Sequence, residues 1–185
     1  VGLNLFQTWQ YNQRILPLDE TTRTYYWQIF GRTRLPQPDL YKYLDVDEKL
    51  PAGEYRETPL MQWEGEAQQI GEFSPAARLT ADAESAKHWS RQWIRVRAEV
   101  KYQGEAYAKW RTAYLVFSTD RGEENLKWTG VRFQRFVPPG AWREVIYELQ
   151  LPELQPGDQL QTLVWNQGPD TVYVRNLEVL GLEKL

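Results

Sequence analysis

Apolar and polar residues alternate through the second half of the chain in six consecutive segments, between Trp93 and Leu182. Gly, Pro and Asp separate the segments at intervals typical of a β-sandwich and not of βαβ units. The first segment is the clearest, because every second residue is apolar and most of the others are charged. The six segments are residues 93–102, 113–118, 131–137, 142–151, 159–166 and 171–182. They predict an all-β fold, an antiparallel β-sandwich of jelly-roll type over residues 61–185.

Two of these segments depart from simple alternation. Residues 113–118 are apolar on both faces, which predicts a central strand. Residues 131–137 alternate until Phe136, where the change of phase predicts a β-bulge ahead of Pro138.

Residues 1–60 differ in pattern and are predicted to form an N-terminal extension with one or two strands, packed on the sandwich. In Thr24–Phe30 alternate residues are large and apolar, which predicts a strand. Residues 41–49 favour a loop over a short helix, because Pro and Gly on both sides leave little room for one. Residues 80–87 contain helix formers without an apolar stripe, which favours a solvated loop or a single helical turn.

Composition narrows the classes of function. The chain has 185 residues, 42% of them hydrophobic, which is enough for one substantial core. A net charge of −3 without a basic stripe argues against a nucleic-acid partner. The absence of cysteine excludes disulfides, thiolate metal sites and catalytic thiols. The chain begins at Val1 and its one methionine is internal, so we expect it to be part of a longer protein.

Aromatic residues are the compositional outlier, with 9 Trp and 11 Tyr. Flat rings cover pleated surface and pair across strands, and this ordinary structural role is favoured for any single Trp. The alternative is that a few of them stack on sugar rings, whose C–H faces are apolar.

Catalytic sets are absent from the sequence. His88 is the one histidine, so a triad or a zinc site built on several imidazoles cannot form. A capping or surface role is favoured for His88 over that of a lone general base. The acidic cluster Asp45–Glu48 lacks the glycine and the later glutamate of an EF-hand loop. Glu144 and Glu148 share a strand face but are offset along one strand, unlike the facing carboxyls of glycosidases. No Gly-rich phosphate loop occurs. We predict no catalytic residue, no metal and no cofactor.

One predicted sheet face could bind a ligand. Planar guanidinium groups and amides can bind vicinal hydroxyls or a carboxylate while a tryptophan ring stacks on the ligand. The alternative, an ordinary solvated face with cross-strand ion pairs, is favoured. The candidate binding residues are Trp93, Arg95 and Arg97 on the outward face of the first segment, joined by Trp128, Arg132 and Gln134.

Several stretches of the back half resemble the jelly-roll domains grouped with carbohydrate-binding modules and galactose-binding-like domains. These stretches are Phe73-Ser-Pro-Ala, Trp93 to Val100, Trp142-Arg-Glu-Val, Leu163-Val-Trp-Asn and Val172 to Val179. The resemblance covers roughly residues 60–185 and implies a carbohydrate-binding fold. In that family an acidic residue of the closing strand commonly helps hold a structural calcium. Arg175 stands in that place here, and because guanidinium repels a cation we predict no calcium there.

The start of the chain carries a second resemblance. Leu3–Tyr11 and Thr24–Phe30 are similar to the segment that follows the final membrane helix in bacterial multi-pass proteins of glycosyltransferase type. This implies an extracytoplasmic domain, periplasmic or at the cell surface, that reaches the membrane only through flanking sequence. The predicted function is therefore a non-enzymatic accessory β-sandwich domain whose partner is a glycan or a cell-envelope protein. A purely structural or protein-interaction domain without a groove is the alternative, and a jelly-roll glycoside hydrolase is less favoured.

Overall fold

The computed structural model describes residues 2–17, 21–68, 73–104 and 113–185. The chain divides into two compact units, residues 1–49 and residues 50–185. The first unit is helical in its described part. It contains α1 (Gly2–Asn12), α2 (Arg23–Ile29), a 3₁₀ helix (Pro38–Leu40) and α3 (Lys42–Asp45). No helix among the described residues is both long enough and apolar enough to cross a membrane.

The strand predicted for Thr24–Phe30 is wrong, because these residues form α2. Thr22 caps the helix, and its Oγ1 accepts a hydrogen bond of 3.1 Å from the backbone N–H of Tyr25. Tyr25 and Ile29, four residues apart, fall on one helical face and are both buried. They pack in a small core with Ile15 and Leu44. Aromatic residues favour strands locally, but the cap and this i, i+4 burial decide for a helix.

The second unit is a jelly-roll β-sandwich. Its strands are β1 (Tyr55–Gln68), β2 (Phe73–Thr80), β3 (Trp93–Gln103), β4 (Ala113–Arg121), β5 (Glu124–Arg132), β6 (Arg143–Gln150), β7 (Gln159–Asn166) and β8 (Thr171–Lys184). They form two four-stranded antiparallel sheets in the orders β1-β8-β3-β6 and β2-β7-β4-β5. Each sheet therefore alternates early and late strands of the chain, which is the jelly-roll arrangement. The predicted fold class is confirmed.

The core lies between the two sheets and follows the predicted alternation. In β3 the even-numbered residues from Ile94 to Tyr102 are buried, and the odd-numbered ones are partly exposed. Leu115 and Phe117 of β4 and Val164 of β7 are fully buried on the facing sheet. Each such side chain contributes about 1.5–3 kcal/mol through burial of apolar surface. β4 lies between β7 and β5 in its sheet, and this central position explains why it is largely buried on both faces, as predicted.

Several local predictions need correction. The strand predicted over residues 131–137 ends at Arg132, and the 3₁₀ helix Phe133–Arg135 follows it. Most of β5 was missed, because its first half is a partly exposed strand at the edge of its sheet and alternates weakly.

Residues Ala83–Trp89 form helix α4, which Asp82 caps by accepting a 2.7 Å hydrogen bond from the N–H of Ser85. The short helix α3 lies where a loop was favoured. The division at residue 49 lies earlier than the predicted residue 60, and β1 spans that predicted position.

Candidate functional site

The outer face of the β1-β8-β3-β6 sheet carries cross-strand ion pairs, and we call it the paired face. Arg95 of β3 forms ion pairs with Glu57 of β1 and with Glu148 of β6, the latter at 3.1 Å between Nη2 and Oε1. Arg97 pairs with Glu178 of β8, and this hydrogen bond raises the pKa of the Arg97 guanidinium. The guanidinium donors of both side chains therefore already have carboxylate acceptors.

Further along the same face, Arg175 binds Glu99 through two hydrogen bonds, of 2.9 and 3.1 Å. Asn176, in a left-handed conformation with φ of 52°, donates a third to Glu99. These donors lower the pKa of Glu99, with the bond from Arg175 as the largest cause. Arg175 also lies 4.4 Å from the ring centroid of Trp142, and Lys101 lies 5.0 Å from it. Cations thus cover the indole nearest to this network.

The outer face of the β2-β7-β4-β5 sheet is different, and three rings dominate it. Tyr114 of β4, Trp128 of β5 and Trp165 of β7 define what we call the aromatic face. The centroids of Tyr114 and Trp165 are 5.6 Å apart with a 36° tilt, and Trp128 meets Trp165 at 5.7 Å and 85°. The rings therefore form a corner, with Trp128 nearly perpendicular to Trp165. Trp128 is 45% exposed, so part of its ring surface is accessible.

Strand register explains how two tryptophans from non-adjacent strands meet. Trp165 pairs with Tyr114 and Trp128 pairs with Ser118, so Val116 lies between them on the same face of β4. The rings meet across β4, and Val116 is fully buried. Gly130 is the neighbour of Val116 in β5. A Cβ at Gly130 would come within 2.8 Å of the Leu115 carbonyl oxygen and 2.9 Å of the Val116 side chain, so this close packing requires glycine.

Polar groups lie next to the corner, organised by Asp120. The carboxylate of Asp120 accepts hydrogen bonds from Asn125 at 2.7 Å, from Ser118 at 3.2 Å and from Gln161 at 3.4 Å. These donors come from β4, β5 and β7, and the row beside Trp128 contains Ser118 and Gln161. These bonds orient the carbonyl oxygens of both amides and the second N–H of Gln161, whereas Asn125 Nδ2 also donates to the Lys127 carbonyl at 3.3 Å. The face thus combines an aromatic corner with oriented amides, a set that suits a ligand with both C–H surface and hydroxyls.

The predicted binding residues do not form a single face. Trp93, Arg95 and Arg97 lie on the paired face, whereas Trp128 and Arg132 belong to β5 of the opposite sheet. Arg132 is buried, and its Nε donates a 2.9 Å hydrogen bond to the Tyr114 hydroxyl, which supports that ring. Gln134 lies beyond the strand in the 3₁₀ helix. The proposed combination across strands is therefore wrong, because β3 and β5 never share a sheet. Ligand binding by any of these residues stays a prediction.

Sequence reasoning found Trp128 but missed its partners. Tyr114, Trp165, Asp120, Asn125 and Gln161 come together only through the β7-β4-β5 pairing. Trp165 lies in the segment 159–166, which the alternation predicted as a strand. Placing it beside Trp128 would have required the jelly-roll strand order.

His88 has a partner that the sequence did not suggest. Its Nε2 lies 2.9 Å from the carboxylate of Glu183, which also binds Arg56. The side chain is half exposed, and its ring contacts Trp89 edge to face. The pair connects α4 with β8. Across the described part of the chain, no three His, Cys, Asp or Glu side chains form a group that could hold a metal ion.

Fold and face together define a jelly-roll β-sandwich domain, and solved structures with some likeness to it include carbohydrate-binding modules. A structure described as a family 16 carbohydrate-binding module is 9% identical, with a TM-score of 0.37 over 64% of this chain and 73% of that chain. The CBM22-1 xylan-binding domain of Paenibacillus barcinonensis Xyn10C is 12% identical, with a TM-score of 0.39 over 71% of this chain and 82% of that one. The EclA C-terminal domain, a sugar-binding protein, is 11% identical, with a TM-score of 0.32 over 72% and 83%. No protein-family model and no curated protein matches the chain, so no family is assigned.

Proposed function

We propose that this chain is a non-catalytic accessory domain that binds carbohydrate on its aromatic face. The observation that carries the proposal is the corner formed by Trp128 and Trp165 beside the Asp120 hydrogen-bond cluster. The apolar C–H face of a sugar ring removes indole surface from water when it stacks. The amide carbonyls of Asn125 and Gln161 supply acceptors for hydroxyl groups, and the second N–H of Gln161 supplies a donor.

The distribution of charge favours the aromatic face over the paired face. On the paired face, a ligand would have to displace carboxylates that already bind Arg95 and Arg97. Such displacement costs the charge-assisted hydrogen bonds, which are stronger than those to a neutral hydroxyl. On the aromatic face the accessible indole of Trp128 needs no prior rearrangement.

A hydrolase on this face is less favoured. Glycoside hydrolysis requires two carboxyl groups on opposite sides of the scissile bond. Among the described residues of the aromatic face, the carboxylate of Asp120 already accepts hydrogen bonds from Ser118, Asn125 and Gln161, so it is held within the sheet and does not face a second carboxyl across a cleft.

Affinity gel electrophoresis against soluble β-glucans, xylans and mannans, followed by calorimetry with the retarding polysaccharide, tests the proposal. Trp128→Ala should weaken binding by about tenfold or more, the usual cost of truncating an aromatic anchor. Trp93→Ala is the matched control from the paired face and should leave affinity unchanged. Loss of binding in Trp93→Ala with none in Trp128→Ala would assign the ligand to the paired face.

Absence of retardation by any polysaccharide would favour the structural or protein-interaction alternative. Cleavage of a polysaccharide, seen as new reducing ends, would instead overturn the non-catalytic assignment.

An extracytoplasmic location and tethering to a bacterial membrane through flanking sequence belong to the same proposal. Their support is the resemblance at the start of the chain and the occurrence of envelope glycans outside the cytoplasm. Two reporter fusions placed after Leu185 in the full-length protein test the location. If residue 185 lies outside the cytoplasm, a fused phosphatase that is active only in the periplasm should show activity, and a fused fluorescent protein that folds only in the cytoplasm should give no fluorescence.

A further inference from the structure

Large apolar side chains are exposed mainly in the first unit. Among the described residues, seven of the nine exposed large hydrophobic side chains belong to residues 1–49, although that unit is the smaller one. The seven are Leu3, Leu5, Trp9, Tyr11, Trp27, Phe30 and Leu35. Isolated exposed apolar residues are ordinary, but such a concentration marks an interaction surface.

The rings of each helix contact neighbouring rings of the same segment, so they form two clusters and are not scattered. On α1, Phe6 and Trp9 stack with centroids 5.7 Å apart. On α2, Trp27 lies 5.3 Å from Tyr26 and 5.4 Å from Phe30. Trp27 is 61% exposed, on the side of α2 opposite the buried Tyr25 and Ile29.

Two hydrogen-bond connections fix the helices to each other. Gln7 of α1 donates a 2.7 Å hydrogen bond to the Tyr26 hydroxyl of α2. The buried Gln10 donates to the backbone carbonyls of Ile29 and Arg32, both at 3.0 Å. The two clusters therefore belong to one fixed helical pair, which we call the aromatic helix pair.

The charged side chains of α1, of α2 and of the segments just after them are basic, whereas Asp47 lies at the start of α2 and accepts a hydrogen bond from the N–H of Thr24. Neither helix contains an acidic residue, and Asp19 and Glu20 are the only two acidic residues among the first 38 positions. Four exposed arginines occupy the first position of α2 and the segments just after each helix. They are Arg14, Arg23, Arg32 and Arg34. Such a surface is complementary to anionic phosphate groups that lie above an apolar layer.

We propose that the aromatic helix pair binds the interface of an anionic phospholipid membrane. Trp and Tyr have an apolar ring and a polar tip and concentrate at the headgroup level of bilayers, and the four arginines would contact lipid phosphates. A second copy of the chain fits less well, because apposing two such surfaces brings eight arginine side chains of like charge together. The proposal stands on residues separate from the carbohydrate site and does not depend on it.

Co-sedimentation of the whole chain with lipid vesicles tests the proposal. One set of vesicles is phosphatidylcholine alone, and the other is phosphatidylcholine with phosphatidylglycerol at about two to one. The unaltered chain should bind the mixed vesicles more tightly than the neutral ones. Trp27→Ala combined with Phe30→Ala should weaken binding by at least about tenfold. Arg23→Ala combined with Arg34→Ala should weaken binding to the mixed vesicles only, by about fivefold for each charge.

Trp128→Ala serves as the matched control, because it removes an exposed tryptophan from the other unit and should not change vesicle binding. Thermal melts of all variants check that they fold, and we expect little change in melting temperature because the substituted side chains are exposed. Failure of the unaltered chain to bind mixed vesicles would overturn the proposal, as would equal binding by Trp27→Ala/Phe30→Ala. Concentration-dependent dimers that disappear in that variant, without vesicle binding, would assign the surface to self-association. Polysaccharide binding should be unchanged in Trp27→Ala/Phe30→Ala, which distinguishes failure of the membrane proposal from failure of the carbohydrate proposal.

Discussion

The two outer faces of the sandwich have the same strand geometry and opposite chemistry. On the paired face, Arg95, Arg97 and Arg175 bind carboxylates of neighbouring strands, so charge is neutralised within the protein. On the aromatic face, the rings of Trp128 and Trp165 contact each other and leave part of an indole exposed. The difference shows that polar residue type alone is a poor guide to binding. A guanidinium already bound to a carboxylate is less available to a ligand than an amide held at one end.

The contrast also separates stability from binding. Cross-strand pairs on a partly exposed face contribute little each, about 0.2–1 kcal/mol, and act as a network. The aromatic corner depends instead on close packing of backbone and rings over β4. Changes to the packing beneath the rings should therefore have larger effects than changes to the ion pairs.

The largest effect is expected for Gly130→Ala, which adds a methyl group beneath the aromatic face. The new Cβ would meet the Leu115 carbonyl at 2.8 Å, and this backbone atom cannot move aside cheaply. We expect a loss of about 2–3 kcal/mol in the free energy of unfolding, typical of overpacking. Urea titration followed by near-UV circular dichroism measures it. Gly122→Ala is not a suitable control because Gly122 has φ of 58°, whereas Thr80→Ala, at an exposed position of the same sheet, should cost little. Equal stability of Gly130→Ala and the unaltered chain would contradict the close packing described for this face.

An intermediate effect is expected on the paired face for Glu148→Ala. Glu148 is 6% exposed, and its removal deprives Arg95 of one of two carboxylates while Glu57 remains. Complete loss of a buried partner costs about 3–5 kcal/mol, but Arg95 is partly exposed and keeps Glu57, so we expect about 1 kcal/mol. Chemical denaturation measures the change, and Glu144→Ala is the control, since Glu144 is exposed on the same strand. A loss as large as that of Gly130→Ala would remove the distinction between the two faces.

Alternation made much of this fold predictable from the sequence. Residues of β3 separate cleanly into buried and partly exposed sets, because one face of a sandwich sheet meets the core and the other meets water. The same rule holds for β6, within the predicted segment 142–151, where the alternate residues Val145, Tyr147 and Leu149 are fully buried. Strand existence was therefore accessible where the alternation is regular, whereas β1 and β2 lie outside the six predicted segments.

Sheet order and helix formation were not accessible in this way. Trp165 and Trp128 meet because β4 lies between β7 and β5, a pairing over long sequence distance that alternation does not encode. The run Tyr25 to Ile29 has residues that favour strands, and only the Thr22 cap and tertiary burial convert it to a helix. Trp128 could be proposed as a site residue from its type, whereas the Asp120 cluster required three strands to be placed side by side.

The smallest effect is expected for the pH dependence of the Glu99–Arg175 pair on the paired face. The bond from Arg175 lowers the folded-state pKa of Glu99 below its ordinary value of 4.5. A lowered folded pKa means that the pair contributes stability above pH 4.5, and that the contribution is lost as pH falls through the folded-state pKa. Glu99→Gln lacks this titration, so its melting temperature should lie slightly below that of the unaltered chain at neutral pH and approach it in acid. Melts of both proteins between neutral pH and about pH 3 measure the difference. A gap that widens on acidification would mean that Glu99 is stabilised in its protonated form, contrary to the two hydrogen bonds from Arg175.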